Sequence, residues 1–304
     1  MSNYGMAYMG SKSKLASDII GILPRGKRFV DLFGGGGSMS HCAVLSGKYE
    51  SVIYNELDAC VAQCFRDAIA GKFSKENFKP RWISRDEFHA KKNVDGYIRT
   101  CWSFGNDCNS YLFAKEIEEI KRQAFEYCVN GTSIEGVPDC EYSDWNARRL
   151  FLMRWANAQS VEDFQRLQCL QSITRLEALQ RLERLLSLEG VNRIEIITGD
   201  YRNYQNQTGD VVYCDPPYEN TKQYSVAGFN LKEFYDWVYD ADFPIWFSSY
   251  EISDKRFDCV WETERTSQLS ATNNSLKVVE KLYANKKACL AYPIKNYKQS
   301  YLFN

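Results

Sequence analysis

Phe29-Val-Asp-Leu-Phe33, followed by Gly34-Gly-Gly-Gly37 and Ser38, is the stretch on which the fold turns. A short apolar run ending in glycines reads as a buried parallel strand, because such strands are covered on both faces and lose the alternation of a half-exposed one. Glycines after the strand let the backbone turn tightly and approach a ligand, and the helix predicted over 38–45 offers N–H donors at the same place. Strand, glycine loop and helix in this order predict an α/β fold with a nucleoside-type ligand at the strand's end. The fingerprint GxGxxG is not met, since Ser40 lies three positions beyond Gly37 and Met39 three beyond Gly36. A nicotinamide-dependent dehydrogenase is therefore disfavoured. Gly21 to Lys27 has Walker A spacing, but Arg28 replaces the needed Ser or Thr and the stretch precedes the strand.

Working outward, a helix over 12–22 stops before Pro24, a second strand over 51–54 ends in Asn55 and Glu56, and a helix follows over 59–69. Glu56 stands nineteen positions beyond Gly37, where a carboxylate at the end of a second strand accepts ribose hydroxyls. Asp31, inside the first strand, either faces the ligand or orients the glycine loop. From about residue 71 the alternation lapses. It resumes in strand-like runs over 193–198, 210–214, 244–248, 258–262 and 286–292. The sheet is thus expected from residues 1–70 and 191–304, with 71–190 as an insertion. Within the insertion Leu167, Leu170, Ile173, Leu176, Leu179, Leu182, Leu185 and Leu188 recur every third residue, in helix-forming company. Steps of three wind an apolar stripe around an α-helix, so these positions are expected to serve two packing faces.

Composition narrows the chemistry. The chain has 304 residues, 44% of them apolar, a net charge of -1 and two histidines, His41 and His89, so sites built from several imidazoles are excluded. Eleven cysteines without CxxC pairs point to free thiols in a reducing cytoplasm. There is no apolar run of membrane-spanning length and no signal-peptide pattern at the N-terminus. Charge is unevenly spread: from Arg265 onward seven cations stand against the single acid Glu280. Either a solvated face or a phosphate-facing surface accounts for that segment.

Val211-Val-Tyr-Cys-Asp215-Pro216-Pro217-Tyr218 carries the strongest chemical signal. A strand ends in an acid, two prolines stiffen the following loop while withdrawing N–H donors, and an aromatic ring follows. The Asp215 side chain and the Pro216 carbonyl can accept both hydrogens of an exocyclic amine while Tyr218 stacks on the ring that bears it. A Pro-Pro turn with a capping Asp accounts for the acid and prolines but not for the ring.

The Asp215-Pro216-Pro217-Tyr218 tetrapeptide, the loop at Phe33, Gly35 and Gly37, and the preceding segment Tyr8-Met-Gly-Ser-Lys12 together resemble the Dam-type (alpha-group) S-adenosylmethionine-dependent DNA adenine-N6 methyltransferases. The resemblance spans about residues 4–70 and 194–292. It implies a Rossmann-like methyltransferase sheet with an inserted, mainly helical target-recognition region. It also implies S-adenosylmethionine as methyl donor, no metal, and double-stranded DNA as partner, with no membrane. The implied setting is a cytoplasmic bacterial or phage-encoded enzyme of the restriction-modification type, compatible with a monomer and with the oligomeric state left open. By the same resemblance Asp215, Pro216, Pro217 and Tyr218 are catalytic. Tyr8, Lys12, Asp31, Phe33, Gly35, Gly37, Glu56, Asp200 and Asp215 line the cofactor site, with Lys12 preferred to Lys14 for its spacing from Gly10. Tyr8 stands where the family commonly has Trp, and Leu32 where it has Pro. Cytosine-N4 or RNA adenine methylation uses the same amine clamp, although Ser is usual in place of Asp215 for cytosine N4. A noncatalytic DNA-binding protein that keeps the fold is the alternative from another class. The insertion mixes Arg81, Arg85, Lys91, Lys92, Arg99, Arg148, Arg149 and Arg154 with Trp82, Phe88, Tyr97, Trp102, Trp145 and Trp155, the materials of phosphate contact and base stacking. The polar stretch from Ser103 to Asn109 could reach a groove.

Overall fold

A computed structural model describes residues 4–159, 170–189, 193–219, 228–266, 277–293 and 297–298. The chain divides into two compact units, one of Met1–Gly5, Gly10–Ala62 and Leu185–Asn304, the other of Met6–Met9 and Gln63–Arg184.

The first unit is built on β1 (Arg28–Asp31), β2 (Ser51–Glu56), β3 (Ile194–Thr198), β4 (Asp210–Cys214), β5 (Ile245–Ser249), β6 (Asp258–Thr266), β7 (Lys277–Ala284) and β8 (Tyr297–Lys298). Their order is β3-β2-β1-β4-β5-β7-β6-β8, and the five strands from β3 to β5 run parallel. β7 is antiparallel to both β5 and β6. This is the Rossmann-like α/β arrangement expected from the glycine loop. β1 and β4 are neighbours, and the chain continues from them in opposite lateral directions, from β1 to β2 and from β4 to β5. The crevice beyond the carboxyl ends of strands at such a switch point is where open parallel sheets take ligands.

Strand identity follows from burial. Every residue of β4 and β5 is buried, as is Phe29 to Asp31 of β1, consistent with strands read as continuous apolar runs. Arg28 fixes the start of β1 against β4 by donating from Nε and Nη2 to the Asp210 carboxylate at 2.7 and 2.6 Å. The helix α1 (Ala16–Ile22) ends at Leu23, before Pro24. The helix α2 (Ser38–Ser46) starts at the glycine loop and stops at Gly47, which has φ +63°. The helix over Leu231–Asp240 is N-capped by the Asn230 side chain and buries Phe234, Tyr235 and Val238 on a core that includes Val30, Val212 and Phe247.

One expected strand is a helix. Residues 286–291 turn helical because the Asn285 side chain accepts from the Ala288 N–H at 2.9 Å, capping the turn, and also from Ile245 N–H at 3.1 Å. The antiparallel strand is instead β7, just upstream, whose apolar run is broken in the sequence by Glu280 and Lys281.

The second unit is helical: α3 (Ala59–Ile69) runs into it, followed by α4 (Arg85–Lys91), α5 (Gly96–Cys101), α6 (Lys115–Asn130), α7 (Trp145–Gln159) and most of α8 (Gln171–Glu189). Trp82 stacks on Phe113 with centroids 5.5 Å apart and meets Trp102 and Phe125 edge-on, so several aromatics of the insertion are core. Leu170, Ile173, Leu176, Leu179 and Leu182 are all buried, and so are Arg175 and Gln180 on intervening faces. Arg175 donates to the carbonyls of Cys101 and Ser103, and Gln180 to that of Phe73. The stripe therefore does serve more than one face. Leu167 lies outside the described residues. The cations singled out in the insertion are mostly engaged within it: Arg81 and Lys91 pair with Glu87, Arg85 with Glu118, and Arg149 with Glu177. In the basic C-terminal segment, Lys281 pairs with Glu251 and Glu262. Lys295 and residues 267–276 lie outside the described residues. The described cysteines are free thiols, and among the described residues no helix is long and apolar enough to cross a membrane.

Candidate active site

Two loops meet at the switch point, one leaving β1 and one leaving β4, because Asp31 pairs in register with Tyr213 across the two strands. The first is the glycine loop. Gly35 and Gly37 have φ of +47° and +71°, a region where a side chain is strained, and Gly37 precedes the first turn of α2 with no side-chain cap. A Cβ on Gly34 would lie 2.3 Å from the Tyr54 ring, so the loop packs directly on β2. Tyr54 donates its hydroxyl to the Gly35 carbonyl at 2.7 Å.

Glu56 is turned into this loop. One carboxylate oxygen accepts from the Gly35 N–H at 2.7 Å and the other from the Asp58 N–H at 2.8 Å. Burial raises its pKa against those two hydrogen bonds. Each oxygen retains a second lone pair for a hydroxyl donor. Asp31 is buried as deeply, accepting from the Ser40 hydroxyl through Oδ2 at 2.8 Å, while Oδ1 has no hydrogen-bond partner among the described residues. Loss of solvation pushes its pKa up to about 7, with Asp215 and Glu56 adding to the shift.

The second loop is Asp215 to Tyr218. Lys12, almost wholly buried, places its ammonium 2.9 Å from Asp215 Oδ1, 3.6 Å from Glu280 Oε1 and 4.8 Å from the centre of the Tyr218 ring. Tyr218 also donates from its hydroxyl to Glu280 and faces Asp215 Oδ1 at 3.0 Å, and its ring meets Tyr250 edge-on at 4.8 Å. Burial raises the Asp215 pKa and Glu280 raises it further, while Lys12 and the Tyr218 hydroxyl pull it down. Within this loop Pro216 is buried.

Not every expected residue joins this cluster. Phe33 packs into the sheet core, stacked on Tyr201 at 5.2 Å and edge-on to Phe234. Asp200 caps the turn over Tyr201–Asn203 and pairs with Arg202 at 2.6 Å, which lowers its pKa. Tyr8 belongs to the second unit. Conversely, Glu280 escaped the sequence reading, as did Ser40 and Tyr54. The signal for Glu280 was present as the single acid in a basic segment, but nothing in its neighbours tied it to Asp215.

Residues 8–129 match the family model of the D12 class N6 adenine-specific DNA methyltransferases. The match agrees with the Dam-type resemblance and contains Lys12, the glycine loop and Glu56, while Asp215 to Tyr218 lies beyond it. It supports DNA adenine methylation in general terms. A solved structure described as the putative methyltransferase yhhF from Escherichia coli is similar over 93% of this chain and 90% of its own, at 10% identity and a TM-score of 0.36. No curated protein matches the chain in sequence.

Proposed function

We propose that this chain methylates the exocyclic N6 amine of adenine at a specific site in double-stranded DNA, with S-adenosylmethionine as methyl donor. The observation that carries the reading is the Asp215-Pro216-Pro217-Tyr218 loop at the sheet's switch point, beside a glycine loop of matching type. On this reading residues 1–70 and 191–304 form the catalytic domain and 71–190 the target-recognition region.

The residues fit the cofactor. Asp31 offers a buried carboxylate oxygen without a partner among the described residues, suited to a cationic donor. Glu56, at the end of β2, retains lone pairs for hydroxyls, and the uncapped N-terminus of α2 offers backbone N–H groups. Asp31, Gly35, Gly37 and Glu56 would hold the group, with Lys12 and Asp200 alongside. When bound, it supplies an activated methyl group on sulfur.

An adenine amine is a poor nucleophile because its lone pair is delocalised into the ring. Asp215 and the Pro216 carbonyl, accepting from its two hydrogens, would favour a tetrahedral nitrogen with a localised lone pair. As the nitrogen takes up that methyl group, Asp215 and the Pro216 carbonyl would keep hold of its two hydrogens. The amine then sheds a proton through Asp215 or to water. Asp215 Oδ1 accepts from the Lys12 ammonium, which leaves the other carboxylate oxygen for the amine. A base inside a duplex must be flipped out to reach such a loop, at a cost of a few kcal/mol that phosphate and groove contacts offset.

The test is expression in a methylation-free bacterial host followed by modification-sensitive sequencing. Methylated adenines in one recurring sequence context are expected. Purified protein that binds S-adenosylmethionine yet labels no DNA would overturn the substrate assignment.

A further inference from the structure

Glu280 is the least expected member of the cluster: a carboxylate with no solvent exposure, on β7, a strand that the sequence hid. A buried carboxylate is held only where it is hydrogen-bonded or paired. Here the pairing is shared. The Lys12 ammonium lies between Asp215 Oδ1 and Glu280 Oε1, at 2.9 and 3.6 Å.

The hydroxyl of Tyr218 sharpens the division of labour. It has one hydrogen and two carboxylates before it, Asp215 Oδ1 at 3.0 Å and Glu280 Oε1 closer. With both carboxylates accepting from this hydroxyl, Glu280 takes a share of a hydrogen that would otherwise lie wholly on Asp215. Asp215 therefore retains acceptor capacity that Tyr218 would otherwise consume. Charge points the same way, because Lys12, Asp215 and Glu280 together carry one more negative than positive charge when ionised. A reacting amine nitrogen becomes cationic as it gains its fourth bond, and surroundings with excess negative charge favour that change. Without Glu280, Lys12 would cancel Asp215.

We propose that Glu280 is a positioning residue for methyl transfer, which takes up the Tyr218 hydroxyl and shares the Lys12 ammonium so that the Asp215 carboxylate remains open to the substrate amine. This rests on the reading of the chain as an amine methyltransferase. Glu280 touches neither substrate nor cofactor in this role and acts through Lys12 and Tyr218.

The experiment compares the full-length wild type with Glu280→Gln and Glu280→Asp in methyl transfer to DNA, with cofactor affinity measured separately by calorimetry. Glu280→Gln keeps an acceptor for the Tyr218 hydroxyl but removes the charge. Its kcat is expected to fall at least about tenfold while KM for DNA and the cofactor Kd stay within about twofold. Glu280→Asp, which keeps the charge, is expected to retain more activity than the Gln variant. The acid limb of the kcat profile provides a readout that a packing role would leave in place. Asp215 is faced by Lys12, Tyr218, Glu280 and Asp31, with Tyr213 and Cys214 preceding it at the end of β4. Of these, Glu280 raises the Asp215 pKa, so its neutralisation moves the acid limb to lower pH. Equal loss in both variants with an unmoved acid limb would overturn the proposal, as would wild-type kcat in Glu280→Gln. A wild type that methylates no DNA would overturn the underlying reading instead, so the two failures are told apart.

Discussion

The Lys12 ammonium donates to Asp215 Oδ1 at 2.9 Å, on the carboxylate that the proposed function assigns to the substrate amine. A cation and an amine hydrogen make the same demand on a carboxylate, and Lys12 lowers the Asp215 pKa against the burial that raises it. Asp215→Asn retains the shape and a carbonyl acceptor but not the charge. Methyl transfer is expected to drop at least about 100-fold, the lower range for loss of a positioned proton acceptor. DNA binding, measured by fluorescence anisotropy, should change little. Full activity in this variant would remove Asp215 from the chemistry.

Glu56 ties the glycine loop to β2 by accepting from the Gly35 N–H. Glu56→Gln keeps the size, but one end of the amide must point an N–H₂ at a backbone N–H, and the charged acceptor is gone. Hydrogen bonds to charged groups contribute about 1.5–3 kcal/mol, so cofactor Kd is expected to rise about tenfold or more in calorimetry. If affinity is unaltered, Glu56 serves the loop alone.

These two residues were legible in the sequence because each ends a strand whose apolar run is plain. Asp215 follows Val211 to Cys214, all buried, and Glu56 follows a run buried from Val52 onward. Glu280 was hidden for the opposite reason. It stands inside β7, where its charge breaks the apolar pattern that would have announced the strand, and only the fold brings it to Lys12. The run from Lys286 misled in turn, since apolar residues beside one another fit a short helix as well as a strand and the decision lay with the Asn285 cap. Asp200, expected at the cofactor from the resemblance, caps the turn that follows β3 and pairs with Arg202.

Asp31 makes stability depend on pH with an unusual sign. Its pKa is raised from 3.8 to about 7 by burial, so the folded state holds a proton that the unfolded chain releases across that interval. The stabilisation is fully present below the unfolded value and is lost as pH rises through about 7. Asp31→Asn cannot titrate. In urea unfolding, wild-type stability relative to Asp31→Asn should decline between pH 4 and 7 and level off above. A difference that is the same at pH 4.5 and 7.5 would show that Asp31 keeps an ordinary pKa.

Gly34 has a steric assignment rather than a conformational one. A Cβ there would lie 2.3 Å from Tyr54 Cε2 and 2.5 Å from Cδ2, and the ring cannot swing aside because Tyr54 is fully buried with its hydroxyl on the Gly35 carbonyl. Overpacking of this kind costs about 1–3 kcal/mol. Gly34→Ala should therefore lower the unfolding midpoint, and by pushing the loop off β2 it should weaken cofactor binding as well. Tyr54→Ala removes the obstructing ring at its own cost in packing. The double variant Gly34→Ala/Tyr54→Ala is expected to be more stable than the sum of the single losses, because the added methyl then enters space the ring has left. Strictly additive losses in chemical denaturation would mean that the loop, and not the ring, yields to the methyl group.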